Sequence, residues 1–401
     1  MDKKVLSGVV AILSILLSAS LVSAATTHYV STTGADIGDC SVPSCKTIQY
    51  AIGQAGSGDT INVADGIYTI SFPITIQGKS YLSIVGNSGN PAAVTVTTTD
   101  VTWQANIFNL VNSNHITIDG MKLIINTKQG DPIILTHDPA LGVVSGSNYN
   151  TIRNVITNGG WEGIRIENSN HNTIRDSVFE EAWHGIFIQG HSWGSTVGSD
   201  DNVIENNIIR KNYGELSGSG LTTSKGILVL GSAGTVIRNN MIQGGPGPSE
   251  NLLTLNCIGV FASIDNTIEG NTFENCKIGM TVAGKAGYGI TIDRESTFTS
   301  FKHNNIVGNF LYGVESFLTT VLNAEQNWWG SQTGPGTVGP GSGDKVSANV
   351  DYDPWLCEPY PTDWVSFNGK CIRPSVPTLS PILMISLLAM LAAIGAIRIK
   401  V

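Results

Sequence analysis

The chain has 401 residues, 41% of them hydrophobic and only 13% charged, with 46 Gly and a formal net charge of −9. That acidic balance, with no Lys/Arg cluster, argues against nucleic acid as a partner, which needs a basic face. The length would serve two ordinary domains, but a solenoid lengthens without adding separate cores, so a single elongated domain fits as well.

Residues 1–24 carry a short basic start (Lys3, Lys4), an apolar run from Val9 to Leu21 and the small residues Val22-Ser23-Ala24 before Ala25. This is the pattern of a secretory signal peptide, which lies outside the fold. Ile48, Ala51, Ile52 and Ala55 then recur at helical spacing and predict a short amphipathic helix covering one end of a stack. Gly58-Asp59-Thr60-Ile61-Asn62-Val63 and Gly66-Ile67-Tyr68 follow it. From Phe72 to Ile124 short apolar runs such as Ile74-Thr75-Ile76, Val94-Thr95-Val96 and Ile116-Thr117-Ile118 read as strands.

The pattern then becomes explicit. Asn150-Thr151-Ile152-Arg153-Asn154, leading to Trp161-Glu162-Gly163-Ile164-Arg165-Ile166, is restated 22 residues later as Asn172-Thr173-Ile174-Arg175-Asp176 and Trp183-His184-Gly185-Ile186-Phe187-Ile188. Such a period marks a stack in which each repeat is one coil. Further copies begin at Asn202, Thr235, Asn266 and, more loosely, Ser300. Four copies reach their Gly after 13 residues, whereas those at Asn202 and Thr235 reach Gly226 and Gly259 after 24. Two neighbouring coils are therefore expected to throw out loops at 214–224 and 246–256, side by side, where function tends to sit.

The cap with its Gly-Asp-Thr-Ile-x-Val entry resembles the start of the pectin-lyase-like β-helix proteins. The Asn-headed and Gly-Ile-x-Ile repeats resemble the NosD-like β-helix family within that group. The resemblance spans Thr26 to Leu356 and implies an all-β fold, a single-stranded right-handed parallel β-helix of about ten coils with an N-terminal helical cap. It implies no one activity, because this fold serves lyases, hydrolases, adhesins and surface-layer proteins alike.

In the repeat register Ile152, Ile174, Ile204, Ile237 and Ile268 should form one inward ladder, and Ile164, Ile186, Ile227, Val260, Met280 and Val314 another. Asn207, Asn240, Asn271 and Asn305 share a position that suits a stacked amide ladder, preceded by Asn154, Asp176, Asn206, Asn239 and Asn304 at the turn. The six Cys fall into local pairs, Cys40 with Cys45, Cys257 with Cys276 and Cys357 with Cys371, although six Cys allow about 15 pairings. The register places Cys257 and Cys276 on adjacent coils, within reach of a disulfide, and an exported chain should hold its Cys oxidised.

Trp161, Trp183 and Tyr213 each lie eleven residues after the start of their motif, which predicts an aromatic ladder on three coils. Glu162 and His184 sit beside it, with Glu180, Glu181, Arg210 and Lys211 a few positions earlier and His191, Trp193, Asp200 and Asp201 in the longer connection. Aromatic rings along a groove suit sugar rings, with carboxylates and amides taking the hydroxyls. Trp161, Glu162, Trp183, His184 and Tyr213 are thus the candidate ligand-binding residues. The alternative is that the rings pack against the inserted loops and that Glu180–Arg210 and Glu181–Lys211 are surface ion pairs. Two-carboxylate hydrolysis would draw on Glu180 or Glu181 with Asp200 or Asp201. A lyase would need a calcium site and a basic residue such as Arg210 or Lys211. The motif set of the polygalacturonases is not reproduced, and the scattered His and Met give no soft-metal site. No cofactor is expected unless the chain is a calcium-dependent lyase.

Asn327-Trp328-Trp329-Gly330, a Gly/Pro-rich turn and Asp353-Pro354-Trp355-Leu356 read as the closing cap, with the two Trp sealing the core. Val376-Pro377-Thr378, an apolar run from Ile382 to Ile397 and the terminal Arg398 and Lys400 resemble the tails handled by exosortases and archaeosortases. The expected organisation is a signal peptide (1–24), a β-helix with both caps (25–356), a Cys- and Pro-containing linker (357–376) and a hydrophobic anchor or sorting signal (377–401). The expected function is that of an exported protein held at the cell surface, structural or bound to an envelope glycan. The alternative is a polysaccharide lyase or glycoside hydrolase working on the same face.

Overall fold

Each repeat folds because its apolar residues alternate along short extended runs while an Asn, Asp or Gly accepts the left-handed backbone that turns the corner. In one coil Thr173–Arg175 bends at Asp176 (φ 54°) into Val178–Glu180, turns again, and runs on through His184–Gln189. The next coil repeats the path with Val203–Glu205, Asn206 (φ 57°), Ile208–Arg210 and Lys225–Leu230. The computed structural model describes residues 24–102, 105–137, 146–191, 197–210, 224–244, 256–285 and 290–373. Within these residues the first two runs of successive coils form a 17-stranded sheet, sheet I, and the third runs form an 11-stranded sheet, sheet II. Strands pair in parallel from coil to coil, so that the chain is a single-stranded right-handed parallel β-helix.

The inward columns are the source of cohesion. Ile152, Ile174, Ile204, Ile237, Ile268 and Phe301 stand in register on sheet I and are all buried. Each such side chain contributes about 1.5–3 kcal/mol by leaving water. On sheet II the column is Ile164, Ile186, Ile227, Ile258, Met280 and Val314. Val260, expected there, belongs to the next column with Ile166, Ile188, Val229 and Val282. The reason is that Lys225 pairs with Asn256, which sets Gly226 opposite Cys257 rather than Gly259. The second inserted segment is therefore two residues shorter than the first. Residues 211–223 and 245–255, which contain most of the two expected loops, lie outside the described residues.

The corners are held by polar ladders. Backbone N–H groups of Asn207, Asn240, Asn271 and Asn304 each donate to the Oδ1 of the next member, ending on Asn327, over 2.8–3.0 Å. Asn304, not Asn305, occupies this position, because Ser300 pairs with Thr267 and not with Asn266, so that Asn305 pairs with Thr272, one place past the ladder. At the opposite corner runs a ladder of buried Ser that the repeat reading passed over: Ser113, Ser147, Ser169 and Ser199, then Ser232, Ser263 and Ser296.

Helix α1 (Ile48–Gln54) covers the N-terminal end, its Thr47 hydroxyl accepting from the Tyr50 N–H at 3.2 Å and its Ile48, Ala51 and Ile52 facing the core. The fully buried Trp329 and the nearly buried Trp328 and Trp355 close the other end. Disulfides join Cys40–Cys45, Cys257–Cys276 and Cys357–Cys371, with the second spanning adjacent coils at a Cα separation of 5.7 Å. Residues 357–373, expected as a linker, include an antiparallel hairpin of Val365–Phe367 and Lys370–Ile372 tied back by the third disulfide.

Candidate functional site

Sheet II has an unusual outer face. Residues just before each strand's narrow inner corner form an outward column: Glu162, His184, Lys225 and Asn256, in register and all buried. Behind each lies a small residue, and a Cβ at Gly163 or Gly226 would come within 3 Å of the core side chains Phe179 or Ile242. A Cβ at Gly259 would lie 2.5 Å from Lys225 Cδ, so the lysine stem is laid across a glycine left bare for it. Beside this polar strip runs an apolar one of Phe187, Leu228, Leu230, Phe261 and Ala283, covered by Ile290 and Ile292. The covering segment is strapped over several coils: Thr291 N–H donates to His191 O at 2.7 Å, and Arg294 donates to Ala262 O at 2.6 Å and to Ser232 O at 2.9 Å.

At the head of the polar strip Arg165 Nη2 meets Asp131 Oδ2 at 2.8 Å and Glu162 Oε2 at 3.0 Å. Asp131 Oδ1 also accepts the Glu162 N–H at 3.0 Å. Burial, and then the charge of Asp131, push the Glu162 carboxyl well above the usual range, with Arg165 opposing. Burial works against the Arg165 charge, but the two carboxylates outweigh it and raise its pKa. His184 Nδ1 accepts the Lys225 N–H at 2.9 Å. Burial and then the Lys225 ammonium hold His184 well below its ordinary value, so it is a neutral imidazole with its proton on Nε2. Lys225 is itself lowered to about 7 by burial and by Lys277.

Of the expected ligand-binding residues, Trp161 and Trp183 do meet, with ring centroids 5.3 Å apart and planes tilted by 48°. Trp161 is 40% exposed. Trp183 stacks on the His184 ring at 4.7 Å. Glu162 and His184 stand in register but buried, at 3% and 4% exposure, rather than open beside the rings. Tyr213 and Lys211 lie outside the described residues. Glu180 pairs with Arg210 at 3.1 Å, as a surface ion pair. Glu181 is an exposed left-handed corner residue, φ 60°. Asp200 Oδ1 accepts the Ala233 N–H at 2.8 Å, and Asp201 lies 3.7 Å from His171.

Glu180 and Glu181 precede the strand His184–Gln189, while Asp200 and Asp201 follow it. Six residues of strand put these corners roughly 20 Å apart, well beyond the roughly 5–9.5 Å that two-carboxylate hydrolysis needs. The structure does not bring this set together. Among the described residues no group of three or more His, Cys, Asp or Glu is arranged to hold a metal ion.

Sequence reasoning missed Asp131, Arg165, Lys225 and Asn256. A signal for Lys225 was present, since it precedes Gly226-Ile227 as Glu162 precedes Gly163-Ile164 and His184 precedes Gly185-Ile186. It also missed a column on the far corner, where Tyr81, His115, Tyr149 and His171 stack face to face at 4.4, 5.1 and 4.6 Å. Those rings cover one another's faces and leave their edges outward, which is not how a ring receives a sugar.

The stacked coils and their two parallel sheets define a right-handed parallel β-helix protein. The chain belongs to the right-handed β-helix family, whose model, described as the right handed beta helix region, matches residues 80–247 and 140–328. No curated protein matches it. Among solved structures it resembles an alginate lyase from Paenibacillus sp. str. FPU-7, at 18% identity and a TM-score of 0.50, over 81% of this chain and 99% of that one. It also resembles the pectate lyase Pel9A, at 14% identity and a TM-score of 0.47, over 86% and 83% of the two chains. A rhamnogalacturonan lyase aligns at 14% identity and a TM-score of 0.45, over 90% and 98%. Likeness at these identities concerns the fold alone.

Proposed function

We propose that this is an exported β-helix protein, held at the cell envelope, that binds a polysaccharide along the outer face of sheet II. The observation that carries the reading is the Trp161–Trp183 pair, open to solvent at Trp161 and set at the head of a buried polar strip and a parallel apolar one. Aromatic surface beside convergent polar groups suits a sugar, whose rings have apolar faces and hydroxylated rims. Three disulfides with no free Cys agree with an oxidising compartment. Residues 1–24 supply export and 377–401 attachment; residues 25–356 form the glycan-binding β-helix. Titration of purified protein with candidate glycans, followed by Trp fluorescence, tests the reading: binding should quench or shift emission, and Trp161→Ala should abolish the change. Unaltered emission with every glycan would overturn it.

A second reading, a polysaccharide lyase, is favoured by Lys225, whose amine is held near neutrality as a proton-abstracting base requires. On that reading the product would be an unsaturated sugar end.

A further inference from the structure

An antiparallel hairpin packed on a protein body ordinarily turns its apolar side inward and its polar side to water. The hairpin of Val365–Phe367 and Lys370–Ile372 does the reverse. Its inner side is polar: Ser366 Oγ accepts the Trp355 N–H at 2.9 Å and donates to Asp353 Oδ1 at 3.1 Å, and Cys371 is bonded to Cys357. Its outer side is set by the register, in which Val365 faces Ile372 and Phe367 faces Lys370. There Phe367 is 62% exposed and Ile372 41%, with Val365 half-buried and Lys370 exposed. Asn368 (φ 49°) and Gly369 (φ 70°) make the two-residue turn, which puts Phe367 and Lys370 beside the tip. Trp364, at the foot of the hairpin, is exposed as well. Arg373, which follows it, pairs with Asp363 at 2.7 Å.

What this outward side meets follows from the sequence beyond it. Arg373 and the start of the apolar run Ile382–Ile397 are nine residues apart, a length of chain that reaches about 30 Å at most. The run ends at Arg398 and falls short of the roughly 20 residues of a full helical span, so a second contact with the bilayer adds to its hold. We propose that the outer side of the hairpin is a membrane-docking surface: Phe367 and Ile372 enter the interfacial layer of a lipid bilayer, and the Lys370 ammonium reaches the headgroup phosphates. Exposed Phe and aliphatic side chains bury at that boundary, Trp364 suits the same layer, and a lysine lays its stem along apolar surface while its charge stays in the wet region. The β-helix then stands with its C-terminal end on the membrane and leaves the outer face of sheet II to the surroundings. The inference rests on the envelope-attachment part of the reading above and is independent of the glycan.

The test mixes the purified full-length chain with vesicles of phosphatidylcholine and phosphatidylglycerol, either plain or with brominated acyl chains, which quench tryptophan on contact. Flotation reads attachment, and quenching reads docking. A ring seated roughly 5–10 Å into the headgroup boundary meets the bromines, so the emission added by Phe367→Trp should fall about twofold or more in brominated vesicles. The emission added by Val42→Trp, at an exposed site of the N-terminal cap, should not change. Combining Ile372→Glu with Phe367→Trp should restore most of the lost emission while the chain still floats. Flotation without quenching at position 367 overturns the docking and leaves attachment standing, and the face passes to a second copy of the chain if Ile372→Glu dissolves a dimer in detergent. Absence of flotation overturns both.

Discussion

Replacing Asn240 by Ala removes an inner rung of the buried amide ladder. Its Oδ1 accepts the Asn207 N–H at 2.9 Å and its Nδ2 donates to Ile204 O at 2.8 Å, both in the buried corner. The Ala variant leaves that N–H without a partner and takes from Ile204 O the second of its donors, the first being the Arg238 N–H of the neighbouring strand. One orphaned buried group costs about 1–3 kcal/mol and one lost buried hydrogen bond about 0.5–1.5 kcal/mol, so the expected loss is roughly 1.5–4.5 kcal/mol, a large share of a stability of about 5–15 kcal/mol. The neighbouring Asn239 is the control: it is exposed, with φ 56°, and takes part in no ladder. Asn239→Ala should cost about 1–2 kcal/mol for forcing Ala into a left-handed backbone. Urea unfolding of the two variants beside the wild type measures the difference. A loss for Asn240→Ala no greater than that for Asn239→Ala would refute the claim that the ladder, rather than turn preference, holds the corner.

Two other expectations concern stability. Because Lys225 titrates near 7 in the folded chain but at its ordinary 10.5 when unfolded, the unfolded state binds more protons between those values. Stability should therefore rise with pH from about 7 to about 10.5, and Lys225→Met should remove that slope; parallel urea midpoints for the two proteins across the range would contradict it. The Cys257–Cys276 disulfide closes a sequence separation of 19. Changing both to Ala should cost about 3 kcal/mol, read as a lower urea midpoint, and an unchanged midpoint would show that inter-coil pairing alone fixes these coils.

The coil architecture was legible because its signal is repeated: stacking like on like forces Ile152, Ile174 and Ile204 into the same place in every copy. Errors arose where one coil gained or lost a residue. Gly259 looked like the corner glycine of its repeat, but Cys257 occupies that corner and Gly259 serves instead to make room for Lys225. The Ser ladder went unseen because Ser is common in turns and its burial depends on the coil above. Trp161 and Trp183 were found by spacing, and their contact follows from it. The charges beneath them were harder to find, since a buried Lys or an Asp–Glu–Arg cluster runs against the ordinary expectation that charged side chains face water. Asp131 in particular meets Glu162 only through the stacking of separate coils.

The account's central claim is that the outer face of sheet II holds a polysaccharide without cleaving it. The most direct measurement incubates purified protein with a panel of acidic and neutral polysaccharides and follows both retention and the appearance of reducing ends or unsaturated products. The account predicts retention that is lost in Trp161→Ala/Trp183→Ala, with no product formed. Product formation that Lys225→Met abolishes would contradict it and establish the lyase reading, and failure of every polysaccharide to bind would leave the Trp pair as packing on a structural stack.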